Sequence, residues 1–146
     1  MTNQTAWLAI PMLIGLSQPV LWQMNLRVAK YTGEMESAVI LHLVGTVVGL
    51  LCVAGGLRVN GFSGLGAIPW WAWLAGAIGV IGMAAMNKAI PHIGVATALA
   101  VTVAAQLLAA LVFEHFGWMG AHIREVVPSR LAGAGLLAIG AWLVTR

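Results

Sequence analysis

Residues 89–113 read AIPHIGVATALAVTVAAQLLAALVF, a run without one formally charged side chain. A bilayer hydrocarbon core of roughly 30 Å needs about 20 helical residues to cross it. The run is long enough, and in lipid a helix pairs every backbone polar group within its own segment. Working outward, the same spacing recurs. Residues 1–26, 37–57, 59–87 and 131–145 carry no formal side-chain charge either. These runs predict five transmembrane helices, at about 6–29, 36–57, 69–87, 93–114 and 129–146, in a single domain over residues 1–146.

Composition points the same way. Of 146 residues, 61% are hydrophobic and 8% charged, where a soluble domain carries roughly 25% charged residues. So few ions cannot cover a soluble surface, which excludes a soluble enzyme, a disordered tail and a nucleic-acid binder. The net charge of +3 comes from seven cations, Arg27, Lys30, Arg58, Lys88, Arg124, Arg130 and Arg146. They lie far apart and form no basic patch, as expected of loop charges facing headgroups and water. Cys52, alone in an apolar run, reads as a small packing residue. Met1 to Thr5 has no basic n-region, so no signal peptide is expected, and neither end carries a lipidation motif.

The predicted connections are short. Gly33 can end the first helix. Pro69 opens the third at a tolerated position. Lys88 to His92, with Pro91, reads as a tight turn, and Gly117 to Ser129 as the longest loop. Gly61-x-x-Gly64-x-Gly66 lacks the Lys-Ser/Thr of a phosphate loop and reads as a flexible turn. The fifth helix has a short apolar run, Leu131 to Val144, spanning about 21 Å. Arg130 and Arg146 would then snorkel to the interface. The alternative is four spans with an interfacial tail, but that tail would lack the polar face such a helix needs.

Five spans put the termini on opposite sides. Arg58, Arg124 and Arg130 then share one side, and Arg27, Lys30, Lys88 and Arg146 the other. The positive-inside rule acts through a clear cation excess, and three against four is none. Either a weak bias still fixes one orientation, or copies insert both ways and pair as an antiparallel dimer. The second suits a transporter, because alternating access is commonly built from two inverted repeats around a midplane site.

Helices in lipid associate through small residues. Gly45 and Gly49 on the second helix, and Gly76 and Gly79 on the third, are the packing glycines expected. On the first helix, Pro11, Gly15, Gln18, Trp22 and Asn25 recur at intervals of four, three, four and three, one stripe of a helix. Polar groups at such depth face the bundle or a water-filled cavity. Gln18, Trp22 and Asn25 are therefore candidate solute contacts, by amide hydrogen bonds and an aromatic face. His42 on the second helix is a candidate too, with a side chain able to titrate near neutral pH. Thr102 and Gln106, an i, i+4 pair on the fourth helix, complete the set. For each, the competing reading is a hydrogen bond that only holds the bundle together. Trp70, Trp71 and Trp73 read as an interfacial aromatic belt. Glu114 at a helix C-terminus opposes the macrodipole, which implies a partner such as Arg124 or Arg130; Glu114 and His115 are gate or dimer-contact candidates. No carboxylate lies mid-span, and no metal cluster, nucleotide loop or hydrolase triad is present in the sequence. No enzymatic activity, cofactor or metal is expected.

Several motifs carry a resemblance. They are Pro69-Trp70-Trp71-Ala72-Trp73-Leu74-x-Gly76, Pro91-x-x-Gly94, Thr97-Ala98, Gln106-Leu107 and Glu114-His115-Phe116-Gly117. Gly15 with Asn25, Gly45-Thr46, and Arg130-Leu131-x-Gly133 with Gly140 complete it. Over nearly its whole length the chain resembles the YdcZ-like branch of the drug/metabolite transporter superfamily. Two positions depart from the family pattern: Glu114 stands where Asp is usual, and Leu21 where Gln is frequent, the nearest amides being Gln18 and Gln23. The resemblance implies a half-size, multi-pass protein of the bacterial inner membrane, equivalent to one five-helix half of a ten-helix exporter. Relatives in the superfamily export amines, amino acids, nucleotide sugars and other metabolites, and small relatives pair antiparallel.

The expectation is an all-α integral membrane protein, one half-transporter repeat paired as an antiparallel homodimer in the lipid bilayer. It would export a small metabolite or drug-like solute by alternating access. A non-transporting accessory or scaffold subunit, and one half of an obligate heterodimer, remain as alternatives; the even cation count favours the homodimer.

Overall fold

The computed structural model describes residues 4–57 and 62–146. It is all-helical. In order come α1 (Gln4–Thr32), α2 (Glu34–Ala54), α3 (Leu74–Ile93), α4 (Val95–Phe116) and α5 (Pro128–Val144). Short 3-10 turns cover Leu65–Ala67, Trp70–Trp73 and Trp118–Gly120. Among the described residues, three stretches are long and apolar enough to cross a membrane by length and composition: Glu34–Ala54, Trp70–Ile93 and Val95–Phe116. At 17 residues, α5 is a shorter apolar helix. The longest helix, α1 with 29 residues, carries Gln18, Gln23, Asn25, Arg27 and Lys30, which dilute its apolar content.

The distribution of side chains is that of a protein solvated by lipid. Leu51, Ile78 and Leu136 are each about two-thirds exposed. Among the described residues, the buried apolar positions are Ala38, Ala84, Ala98, Ala104, Ala134 and Ala141, with only Ile90 and Leu111 larger. Small residues inside and large ones outside invert the soluble pattern. They match association by close backbone approach rather than hydrophobic drive.

The chain divides into two compact units, residues 1–89 and 90–146. In the first, α1 packs against α2. Both prolines of α1, Pro11 and Pro19, lie inside a continuous helix. A single residue, Gly33, separates α1 from α2. Its backbone (φ 105°, ψ 163°) occupies a region open essentially to glycine. Gly33 N–H donates to the Ala29 carbonyl at 2.8 Å, and Ser37 N–H donates to the Gly33 carbonyl at 3.1 Å. Lys30 in the last turn of α1 and Glu34 and Glu36 in the first turn of α2 complement both helix dipoles.

The expected turn at Lys88–His92 is instead helical, and α3 runs through Pro91 to Ile93. Proline costs that helix one hydrogen bond, to the Asn87 carbonyl, and only two helical residues follow it. The turn falls at Gly94, with φ 80° and ψ 155°. Gly94 N–H donates to Ile90 carbonyl at 2.8 Å, and Ala98 N–H to Gly94 carbonyl at 3.1 Å. This is the Gly33 turn repeated.

In the second unit α4 packs against α5. α4 ends at Gly117, a left-handed C-cap whose N–H reaches the Phe113 carbonyl. An extended segment then leads to Pro128 at the first position of α5.

Candidate functional site

Four of the six candidate solute contacts lie in the first unit. Along α1, Gln18 and Trp22 are half-buried and Asn25 is buried. Burial deepens down the stripe that the 3.6-residue period defines. His42 is half-buried on α2. Its Nδ1 lies 2.8 Å from the Ala38 carbonyl one turn earlier. A Cβ placed on Gly79 of α3 would stand 3.3 Å from the other ring nitrogen, Nε2. With alanine at 79 the imidazole would have to give way by a few tenths of an ångström. Leu41, His42, Gly45, Thr46 and Met83 line an open pocket of about 400 Å³. Of the packing glycines, only Gly79 has such a neighbour. A Cβ at Gly45, Gly49 or Gly76 meets nothing within 4 Å.

The other two candidates lie in the second unit, on α4: Thr102 is half-buried and Gln106 exposed. Neither lines the pocket between α4 and α5. That groove, of about 510 Å³, is bounded by Ala100, Val103, Gly133, Leu136, Leu137, Gly140, Ala141 and Val144, every one apolar.

Glu114, near the end of α4, forms an ion pair with Arg130 of α5. The backbone N–H of Arg124 also donates to the Glu114 carbonyl, at 3.0 Å. The carboxylate at the unfavourable helix end is thus neutralised by the next helix, while Arg124 closes the intervening loop. Arg130 Nη1 is buried without a hydrogen-bond partner among the described residues. His115 is exposed, with its ring edge-on to Phe116 at 4.8 Å. Phe116 in turn stacks on Trp118 at 5.3 Å.

One buried polar cluster escaped the sequence reading. Asn87 on α3 is only 2% exposed and Ser37 on α2 is fully buried. Asn87 Nδ2 donates to Ser37 Oγ at 2.7 Å and reaches the Glu34 carbonyl at 3.4 Å. Ser37 Oγ donates to the Glu34 carbonyl at 2.9 Å. Asn87 Oδ1 has no hydrogen-bond partner among the described residues. Next to Lys88 and ahead of Pro91, Asn87 is the last residue of the third helix predicted from sequence. The continuation of α3 to Ile93 puts it in the helix interior instead. Among the described residues, no group of His, Cys, Asp and Glu side chains could hold a metal ion.

The family described as "Putative inner membrane exporter, YdcZ" matches residues 6–143. Inner membrane protein YdcZ of Escherichia coli (strain K12) is 32% identical over 149 aligned positions, covering 99% of this chain and 97% of the relative. No solved structure gives a significant match. With its apolar helices, lipid-type exposure and full-length match, the chain belongs to the YdcZ family and is a multi-pass protein of the inner membrane.

Proposed function

We propose that the chain is a secondary transporter that exports a small solute by alternating access, working as an antiparallel homodimer of five-span subunits. The observation that carries this reading is the match to an exporter family along residues 6–143. A second feature supports the pairing. With α1 and α5 counted as spans, the seven cations divide three against four, so neither orientation is favoured. Two copies inserted in opposite senses supply the inverted repeats that one copy lacks. Gln18, Trp22, Asn25 and His42 of the first unit are candidate solute contacts in each copy, and Thr102 and Gln106 of the second unit are candidates in their own right. Glycine faces with open space at Gly45, Gly49 and Gly76 offer close approach to the partner.

Purified protein in liposomes tests this. Efflux or uptake in a panel of labelled amines, amino acids and sugar nucleotides should be saturable, and it should weaken in Gln18→Ala and Trp22→Ala. A protein inert toward the whole panel while still folded would mark a scaffold subunit. Transport untouched by both substitutions would rule out the stated contacts.

A further inference from the structure

The last turns of α1 carry polar groups outside the stripe of Gln18, Trp22 and Asn25. Gln23, Leu26, Arg27 and Lys30 line an open pocket of about 370 Å³. At roughly 100° per residue, their mean direction stands roughly 120° around α1 from that stripe. Asn25 on the stripe is buried, whereas Gln23, Arg27 and Lys30 are exposed. This second face is therefore turned outward, to lipid. The one-residue turn at Gly33 sets its depth, because α2, which begins at Glu34, is long and apolar enough to cross the membrane. By helix rise, Lys30 lies about 4.5 Å, Arg27 about 9 Å and Gln23 about 15 Å from Gly33. The polar zone on each side of the hydrocarbon is roughly 5–8 Å thick. Lys30 and Arg27 reach the phosphates by extending their long side chains. The Gln23 amide lies deeper, where the acceptors are the ester carbonyls of lipid, and Leu26 offers an apolar surface to an acyl chain.

Charge selects the occupant. Neither Arg27 nor Lys30 has a hydrogen-bond or ion-pair partner among the described residues. No carboxylate lines the pocket, and the Glu36 side chain folds over Gly33 instead. Two unpaired cations at a membrane interface attract anionic headgroups. We infer that this face of α1 binds an anionic phospholipid of the phosphatidylglycerol type. The phosphodiester sits between Arg27 and Lys30, the Gln23 amide donates to an ester carbonyl, and one acyl chain lies on Leu26. A zwitterionic lipid fits less well, since its ammonium brings a like charge to the pair. The bound lipid holds the turn between α1 and α2 at the leaflet surface. This site stands whether or not the chain moves a solute.

Native mass spectrometry of the full-length protein in non-ionic detergent tests this, with dioleoyl phosphatidylglycerol and dioleoyl phosphatidylcholine as probes. The first should bind saturably and more tightly than the second. Each cation near an anionic headgroup is worth about fivefold in affinity, so Arg27→Gln with Lys30→Gln should weaken phosphatidylglycerol binding about thirtyfold. Lys88→Gln with Arg146→Gln removes the same net charge elsewhere and should leave the affinity close to wild type. The amide has its own readout. A diether phosphatidylglycerol, which lacks ester carbonyls, should bind the wild type more weakly than the diester. In Gln23→Leu, which keeps both cations, that difference should vanish. Equal affinity for the two diester probes, equal losses in the two double variants, or a diester preference that survives in Gln23→Leu overturns the inference. Displacement of the lipid by millimolar inorganic phosphate overturns it too, and would mark a site for free phosphate.

Discussion

The carboxamide of Asn87 donates to the hydroxyl of Ser37 at 2.7 Å, joining the last part of α3 to the first turn of α2. Both side chains are buried. Double-mutant cycles on polar pairs in membrane proteins average about 0.6 kcal/mol. Ser37→Ala and Asn87→Ala should each destabilise the chain, and the double variant should lose less than their sum by about that amount. Denaturation in detergent micelles measures the cycle. Strict additivity would show that the contact carries no energy.

Gly33 and Gly94 hold the same backbone conformation, with φ 105° and 80° and ψ near 160° in both. A non-glycine residue in that region costs about 1–3 kcal/mol. Gly33→Ala also drives its Cβ into the Glu36 carboxylate, whereas the Cβ of Gly94→Ala meets open space. Both substitutions should lower the melting temperature, Gly33→Ala more because Glu36 must also move. Wild-type stability for either would mean the turn is not formed as described.

The Glu114–Arg130 pair ties α4 to α5. Glu114→Arg faces a like charge and should reduce the protein's thermal stability. Combining it with Arg130→Glu restores opposite charges in reversed order and should recover most of the loss. A double variant no better than Glu114→Arg would show that the pairing contributes nothing beyond the individual side chains.

Much of this architecture was legible from where ions are absent. A span cannot carry many charges, so uncharged runs of about 20 residues mark helices whatever their packing. Turn positions were less legible. Lys88–His92 reads as a tight turn, yet α3 runs through Pro91 to Ile93 and the chain turns at Gly94, because the positive φ that reverses the chain is open to glycine. The partner of Glu114 was half-legible: dipole physics demanded a cation, but choosing between Arg124 and Arg130 needed three dimensions. In the structure, Arg130 brings its side chain and Arg124 its backbone N–H. Asn87 and Ser37 were invisible, since an isolated amide beside a lysine has no periodicity to announce burial. Nor does spacing on one helix report Gly79 opposite His42, a relation between two helices.

Orientation should respond to single charges. One added Lys in the 117–130 loop shifts the cation count to four against four, and one at the C-terminus to three against five. If the native chain is poised, reporter fusions should move in opposite directions for the two variants. A reporter ratio indifferent to both would mean that other signals fix the insertion.

The most direct measurement labels the unmodified charge pattern from both sides. In a Cys52→Ala background, a single cysteine at His122, in the segment between α4 and α5, is treated with a membrane-impermeant maleimide in spheroplasts and in inverted inner-membrane vesicles. An antiparallel pair predicts comparable labelled fractions in the two preparations, adding to the whole population. Labelling confined to one preparation would place every copy the same way round and contradict the inverted dimer.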